Sequence, residues 1–416
     1  MFTTVRRDSA ATKKGENMAK HDAHVGGTRT LLLGMILATL ALGLVYGAVA
    51  QEMEVPEFSI RSGYCVTVAL PDLPGARFLE SGPGGFVYVS LPREGRIVST
   101  RDTNGDGVLE IIGDFVTGMP TVHGMCRHGD WLWFTQTGAI HRGRDTDGDG
   151  TADEVVTVLE DGLLPSGGGH WWRSILVTDE YLYTSIGDAG NITDQMETER
   201  QKIWRFRHDG SEKTLFASGL RNTEKLRLRP GTDEVWGCDH GSDWYGRPIG
   251  DAQGMQPVTD HNPPDELNHY VAGGFYGHPF IVGKILPRIE YYERPDIIEL
   301  ASKTTPPAWG FGAHWAVNGF TFLDGESVPA SHRGDIFAAL HGSWNSVKRV
   351  GYGIERILFD DETGLPYGAL RIVTTLGSDG REVLARPVDC LVDVDGTVLF
   401  SCDHTGRIYR IHMAAE

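Results

Sequence analysis

The sequence predicts an all-β protein, a six-bladed β-propeller over residues 51–416. Short runs of β-branched and aromatic residues recur along the chain, each led by a turn. Four of the five intervals between them are about 45 to 65 residues, a spacing typical of propeller blades. Glycine supplies 54 of 416 residues, about twice the average share, which suits many tight turns. No long amphipathic helix pattern interrupts them. A chain of this length would ordinarily suggest two or three domains, but a closed ring uses all of it as one. The competing all-β arrangement is a sandwich, which the repeat period disfavours.

Residues 1–50 stand apart. Arg6, Arg7, Lys13, Lys14, Lys20 and Arg29 precede an apolar run from Leu31 to Ala50 that ends Ala48-Val49-Ala50-Gln51. This reads as a secretory signal peptide cut before Gln51, implying a periplasmic or secreted protein. The alternative is an uncleaved signal anchor, because the run approaches the ~20 residues that span a bilayer. The anchor would be the chain's one membrane contact.

Within 51–416, the segment from Phe58 to Leu70 is expected to add a strand to the last blade and close the ring, which removes exposed edges. The blade strands are Gly85–Ser90, Trp131–Thr135, Tyr181–Ile186, Glu234–Trp236, Asp335–Leu340 and Thr397–Ser401. Second strands follow at Gly95–Val98, Lys202–Arg205 and Gly406–Arg410. The one interval near 100 residues, the fourth, implies a loop insertion around 241–310.

The chain carries a net charge of −18, and residues 1–50 hold 6 Lys/Arg against 3 Asp/Glu, so the remainder stands at −21. So acidic a body disfavours nucleic acid and anionic membrane as partners. It is compatible with cations and with a basic redox partner. The five cysteines are Cys65, Cys126, Cys238, Cys390 and Cys402. No Cys-x-x-Cys-His is present, so the chain has no c-type haem motif. Cys390 and Cys402 flank the turn at Asp395-Gly396 and are expected to form a disulfide across a hairpin.

Two acidic loops share the pattern D-x-[DN]-x-D-G-x-x-[DE]. One offers Asp102, Asn104, Asp106 and Glu110; the other offers Asp145, Asp147, Asp149 and Asp153. Alternate oxygen ligands let a tight loop wrap Ca²⁺, and the glycine permits the sharp turn. Neither loop has the twelfth-position Glu of an EF-hand. The plainer reading is an Asx-rich turn.

Three segments carry the functional reading. Gly219-Leu220-Arg221-Asn222 enters a strand that ends near Cys238-Asp239-His240-Gly241, and Pro263-Pro264-Asp265-Glu266-Leu267-Asn268 follows. Further on stands His341-Gly342-Ser343-Trp344-Asn345. In this order the set resembles the glucose/sorbosone dehydrogenase family, and the resemblance extends from about residue 60 to 412. It implies a six-bladed propeller carrying pyrroloquinoline quinone (PQQ) and Ca²⁺, with a sugar or polyol substrate. Electrons would leave to an external acceptor such as a cytochrome c.

The resemblance also implies site roles. His170 would be the general base, with Asp188 orienting it, and such a pair fixes the tautomer of an imidazole near neutral pKa. Arg221 would polarise the quinone, a task suited to a permanent, forked cation, with Asn222 beside it. His240 stands in a polar column, and the backbone of Gly241 and Ser242 would bind calcium, although this loop reads His-Gly-Ser where the glucose enzymes have Gln-Gly-Pro. Trp244 would be a stacking surface. His341 takes the place of a cofactor-contacting Lys, with Lys348 a few residues on. Arg386 would pair with a cofactor carboxylate, while a neighbouring family Arg is Leu384 here. Two alternatives remain open: a non-catalytic propeller that binds carbohydrate or protein, and a calcium-dependent lactonase or other hydrolase.

Overall fold

The structure, a computed structural model, describes residues 53–246 and 257–414. The signal-peptide reading of residues 1–50 lies outside them. Among the described residues no helix is long and apolar enough to cross a membrane.

Six sheets form six blades, and in each the first four strands, or three in blade six, run antiparallel outward from an innermost strand in chain order. The innermost strands are Leu79–Ser81, Met125–His128, Leu176–Val177, Thr223–Leu228, Val317–Phe322 and Pro387–Val392. Each touches the next, and the sixth touches the first, so the ring is closed. Closure is made by the N-terminal strand Tyr64–Leu70, which pairs antiparallel with Arg407–Met413 as the outer strand of blade six. The expected closing segment thus does its work, with one addition. Ser59–Ile60 pairs instead with the outer strand of blade five.

The predicted runs form the second strand of each blade, with bounds that agree to within three residues: Val87–Leu91, Trp131–Thr135, Leu182–Ile186, Val235–Asp239, Ile336–Leu340 and Val398–Cys402. These strands are wholly or almost wholly buried, because a propeller sheet is covered on both faces by its neighbours. Trp133 and Ile140 of blade two, for example, pack with Leu176, Leu182 and Ile203 of blade three. The 241–310 stretch is not one insertion. Its middle, Glu266–Tyr270, is the third strand of blade four, and Trp309–Gly310 is the fourth. Two excursions flank that third strand, one carrying the short helix α1 (Pro257–His261) and the other α2 (Ile297–Lys303).

The expected disulfide does not form. Cys390 pairs in register with Phe400, while Cys402 lies opposite Pro387, so the two side chains are offset along the hairpin. The Cys402 sulfur instead accepts from the backbone N–H of Arg386 at 3.2 Å and of Thr405 at 3.4 Å.

The ring is apolar between blades but charged along its axis. Lys225 of blade four donates to Asp389 of blade six at 2.7 Å and to the Leu79 carbonyl of blade one at 3.3 Å. Asp389 also accepts from the Leu79 N–H at 3.0 Å. Both partners of the ion pair are fully buried. Blade five must come close here, since a Cβ on Gly319 would stand 2.2 Å from an Asp389 oxygen. Removing one partner of a buried pair leaves the other charged and desolvated. Asp389→Ala is therefore expected to cost about 3–5 kcal/mol of stability. Urea unfolding measures this, and an unchanged midpoint would show that the pair does not tie the blades.

Candidate active site

A cavity of about 430 Å³ opens at one end of the axis. Blade four supplies one wall through the Gly-Leu-Arg-Asn turn. Asp239, at the end of Val235–Asp239, holds this turn: its carboxylate accepts from the N–H of Arg221 at 2.9 Å, from the N–H of Asn222 at 2.7 Å and from the Thr223 hydroxyl at 2.9 Å. Gly219 has φ +79°, and a Cβ there would meet the Phe275 ring and the Gly277 nitrogen at 2.7 Å, so only glycine fits. The Arg221 guanidinium donates to the Asn191 side chain at 2.8 Å and to Asp243 at 3.0 Å. Asn222 donates to Glu224 at 3.1 Å and contacts His240 Nδ1 at 3.1 Å.

Blade three brings His170 alongside. A Cβ on Gly187 would sit 2.8 Å from His170 Cβ and 2.7 Å from the Arg221 carbonyl, so this glycine permits the approach. His170 Nδ1 lies 2.9 Å from the backbone carbonyl of Asp188. A carbonyl only accepts, so Nδ1 carries the hydrogen and Nε2 is left with its lone pair. Burial, then the nearby Arg221 charge, lowers the His170 pKa to about 3, so the ring is neutral near pH 7. The expected His170–Asp188 partnership exists, but through the main chain. The Asp188 carboxylate faces the other way, toward His278 at 2.8 Å and Gln201 at 3.1 Å.

A second imidazole faces the cavity from blade five. His341 Nε2 donates to both oxygens of Asp403, at 3.0 and 3.2 Å. Arg77, from the start of blade one, bridges Asp403 at 2.9 Å and Glu224 at 3.1 Å. Burial by itself would raise the Asp403 pKa. The hydrogen bond from His341, with Arg77 and Arg386 nearby, brings it down to about 2. Arg386 donates to the carbonyls of His341 and Gly342, both at 3.1 Å, and makes no ion pair among the described residues. Trp172 also lines the cavity, stacked on His123 at 4.4 Å and beneath the Arg77 guanidinium at 5.3 Å.

The cavity thus gathers His170, Arg221, Asn222, His240, Gly241, His341 and Arg386 of the residues singled out by sequence. Ser242 and Trp244 do not line it. The Ser242 hydroxyl is buried between the Trp244 carbonyl at 2.8 Å and Arg288 at 2.6 Å, and this bond turns the chain away from the axis. Asp265 clamps the wall, accepting from the N–H of Gly241 at 2.7 Å and of Ala316 at 2.5 Å. Arg77, Trp172, Glu224, Asn318 and Asp403 were not anticipated. They come from blades brought together only by ring closure, and no local motif marks them.

The acidic loops lie apart from the cavity. Asp102 and Asp145 each accept backbone N–H groups of their own loop, such as Gly105 at 2.6 Å and Gly148 at 2.7 Å. Oxygens of Asp145, Asp147 and Asp149 lie within 4.8 Å of one another. Glu110 and Asp153 serve differently from the expected ligand set. Each accepts from the backbone and hydroxyl of a threonine, Thr103 or Thr146, and so braces the hairpin. In the first loop the Asn104 amide donates to Asp106 and Glu110.

The fold, a six-bladed propeller, is shared with several solved structures. The fold matches a calcium structure of the Trichoderma reesei carbohydrate-active enzyme family AA12 with a TM-score of 0.72, at 19% identity over 87% of this chain and 99% of that one. It matches the holo PQQ domain of pyranose dehydrogenase from Coprinopsis cinerea with a TM-score of 0.71, at 17% identity over 86% and 98%. PQQ-bound aldose sugar dehydrogenase from Streptomyces coelicolor follows with a TM-score of 0.56, at 17% identity over 85% and 99%. The TrAA12-like family model matches residues 299–414, and a domain of unknown function, DUF7133, matches residues 78–269. An uncharacterized protein of Borreliella burgdorferi is 27% identical over 56% of this chain and 57% of its own length. One of Synechocystis is 27% identical over 46% and 47%. The chain therefore spans about half the length of these curated relatives.

Acid should loosen this site. His123, fully buried, has its pKa lowered to about 3 by burial and then by Arg77, as His170 does by burial and Arg221. Below the ordinary histidine value near 6.5 the unfolded chain takes up protons that these folded rings refuse. Stability is expected to fall as pH drops from about 6.5 toward 3. Thermal melts across that range should show His123→Gln losing less stability on acidification than the parent; parallel curves would contradict the assignment.

Proposed function

We propose that the protein is an exported quinoprotein oxidoreductase that oxidises a sugar or polyol hydroxyl, with PQQ as cofactor. One observation carries the reading. The cavity holds a forked guanidinium, Arg386, without a carboxylate partner among the described residues, beside two imidazoles whose tautomers leave one lone pair each. A flat polyanion suits such a donor set. With Nε and one Nη2 hydrogen given to backbone carbonyls, Arg386 keeps its Nη1 end for a carboxylate. Arg77 and Arg221 supply further donors, and Trp172 supplies a flat wall. When bound, PQQ supplies two-electron oxidation, taking up the hydride equivalent lost by the carbinol carbon.

The chain's own part is positioning and proton transfer. Oxidation of CH–OH to C=O releases two electrons and two protons, and His170 Nε2, left with its lone pair, would take the hydroxyl proton. The Asp188 carbonyl holds the ring in the tautomer this needs. Arg221, held by Asp239 and Asp243, keeps a positive charge beside the imidazole. Calcium belongs to the proposal at the Gly241 backbone by the cavity and at Asp145, Asp147 and Asp149, where it would pin a hairpin. Export and transfer of electrons to an external acceptor such as a cytochrome c complete it, supported by the leader sequence and by the lack of a haem motif.

A second assignment of the base has its own observation. His341 is held by a carboxylate, Asp403, which stabilises a developing imidazolium better than a carbonyl does. The test loads the protein with PQQ and Ca²⁺ and follows dye reduction by aldoses. The parent is expected to turn over, and His170→Gln to lose about 100-fold or more in kcat. A larger loss in His341→Gln would move the base to His341, and no dye reduction by the loaded parent would overturn the oxidoreductase reading. Arg386→Leu is expected to weaken PQQ binding by about tenfold or more, the worth of a charged hydrogen bond. An absorbance titration checks it, and unchanged affinity would contradict the role of Arg386.

A further inference from the structure

A second cavity, also about 430 Å³, lies on the other side of one wall of the first. Two segments make that wall, 311–316 and 342–350. His314, Ala316, Gly342, Trp344 and Asn345 face the first cavity, while Phe311, Trp315 and Val347 face the second. The wall is built to keep its shape. Trp315 is held from one side by the Arg371 guanidinium at 4.8 Å, and from the other its indole would come within 2.2 Å of a Cβ on Gly312. The Val347 N–H is fixed on Asp260 at 3.0 Å, and the Asn345 amide is fixed on the Asp243 carbonyl.

On the first-cavity side of that wall stands Trp344. Its side chain lines the first cavity yet is 73% exposed, and Val347 three residues on is 56% exposed. An indole left this open gains nothing for folding. It offers a flat apolar face at the mouth of a polar site, the surface on which the C–H face of a pyranose ring stacks. The second cavity adds hydroxyl-binding groups to its apolar walls: Ser346, His261 and Lys348, whose ammonium makes no ion pair among the described residues.

Resting on the oxidoreductase reading above, we infer that the site binds an oligosaccharide in preference to a free monosaccharide. The oligosaccharide's terminal unit occupies the first cavity, the next lies across Trp344, and a third occupies the second cavity. The polar rim and buried centre of the first cavity recognise the reacting unit; the second cavity recognises chain length.

The test is direct binding of two probe series, glucose–cellobiose–cellotriose and glucose–maltose–maltotriose, by calorimetry on the chain without PQQ and again on the PQQ-loaded protein. In one series the trisaccharide should bind about tenfold tighter than glucose, the scale of one aromatic stacking contact plus buried area. Val347→Trp, which fills the second cavity, should abolish that gain and leave glucose binding and glucose-dependent dye reduction unchanged. Trp344→Ala should reduce the gain for disaccharide and trisaccharide alike. Equal affinity for all lengths in both series, or a gain that survives Val347→Trp, would overturn the inference. The two readings fail separately. Length-dependent binding without dye reduction refutes the oxidoreductase and keeps the subsite, whereas dye reduction with glucose and no length dependence does the reverse.

Discussion

Everything at the site depends on ring closure. Arg77 stands at the start of blade one, and Arg386 and Asp403 belong to blade six, more than 300 residues later in the chain. They meet because Tyr64–Leu70 completes the blade that also contains Arg407–Met413. The Arg77–Asp403 ion pair is the polar counterpart of that closure, and the buried Lys225–Asp389 pair repeats it deeper on the axis. Buried charges are costly unless paired with good geometry. The axis meets that condition by drawing acid and base from different blades, so the same contacts that hold the ring also set the charges around the cavity.

The balance of those charges gives the cavity its chemical character. Arg77 is matched by Glu224 and Asp403, and Arg221 by Asp243. Among the described residues Arg386 has no such match. The imidazoles of His170 and His341 have lowered pKa values, chiefly from burial. The result is a site with fixed donors for an anion and unprotonated nitrogens for accepting a proton. A site that both binds an anionic cofactor and removes a hydroxyl proton needs that pairing.

Much of the architecture was legible in the sequence because blade strands repeat at a regular interval and are bounded by glycine turns. The Gly-Leu-Arg-Asn turn was legible for a related reason: Gly219 and the acceptor Asp239 lie on one local hairpin. Legibility ended where contacts became non-local. The partner of His341 is 62 positions away in the next blade, and Trp172 matters only through its neighbours His123 and Arg77. Asp188 shows a different limit. Its place beside His170 could be read from the motif, but whether the carboxylate or the carbonyl makes the contact depends on His278, which arrives from an excursion of blade four. The disulfide expectation failed on register, which a turn position alone does not fix.

The most direct test of the central claim, that this cavity holds a quinone through its unmatched guanidinium, is a crystal structure of the protein with PQQ and Ca²⁺. The predicted result is tricyclic density in the cavity beside Trp172, with a carboxylate against Arg386 and the quinone oxygens toward Arg221 and His170. Density elsewhere on the propeller, or an empty cavity at saturating PQQ, would contradict it.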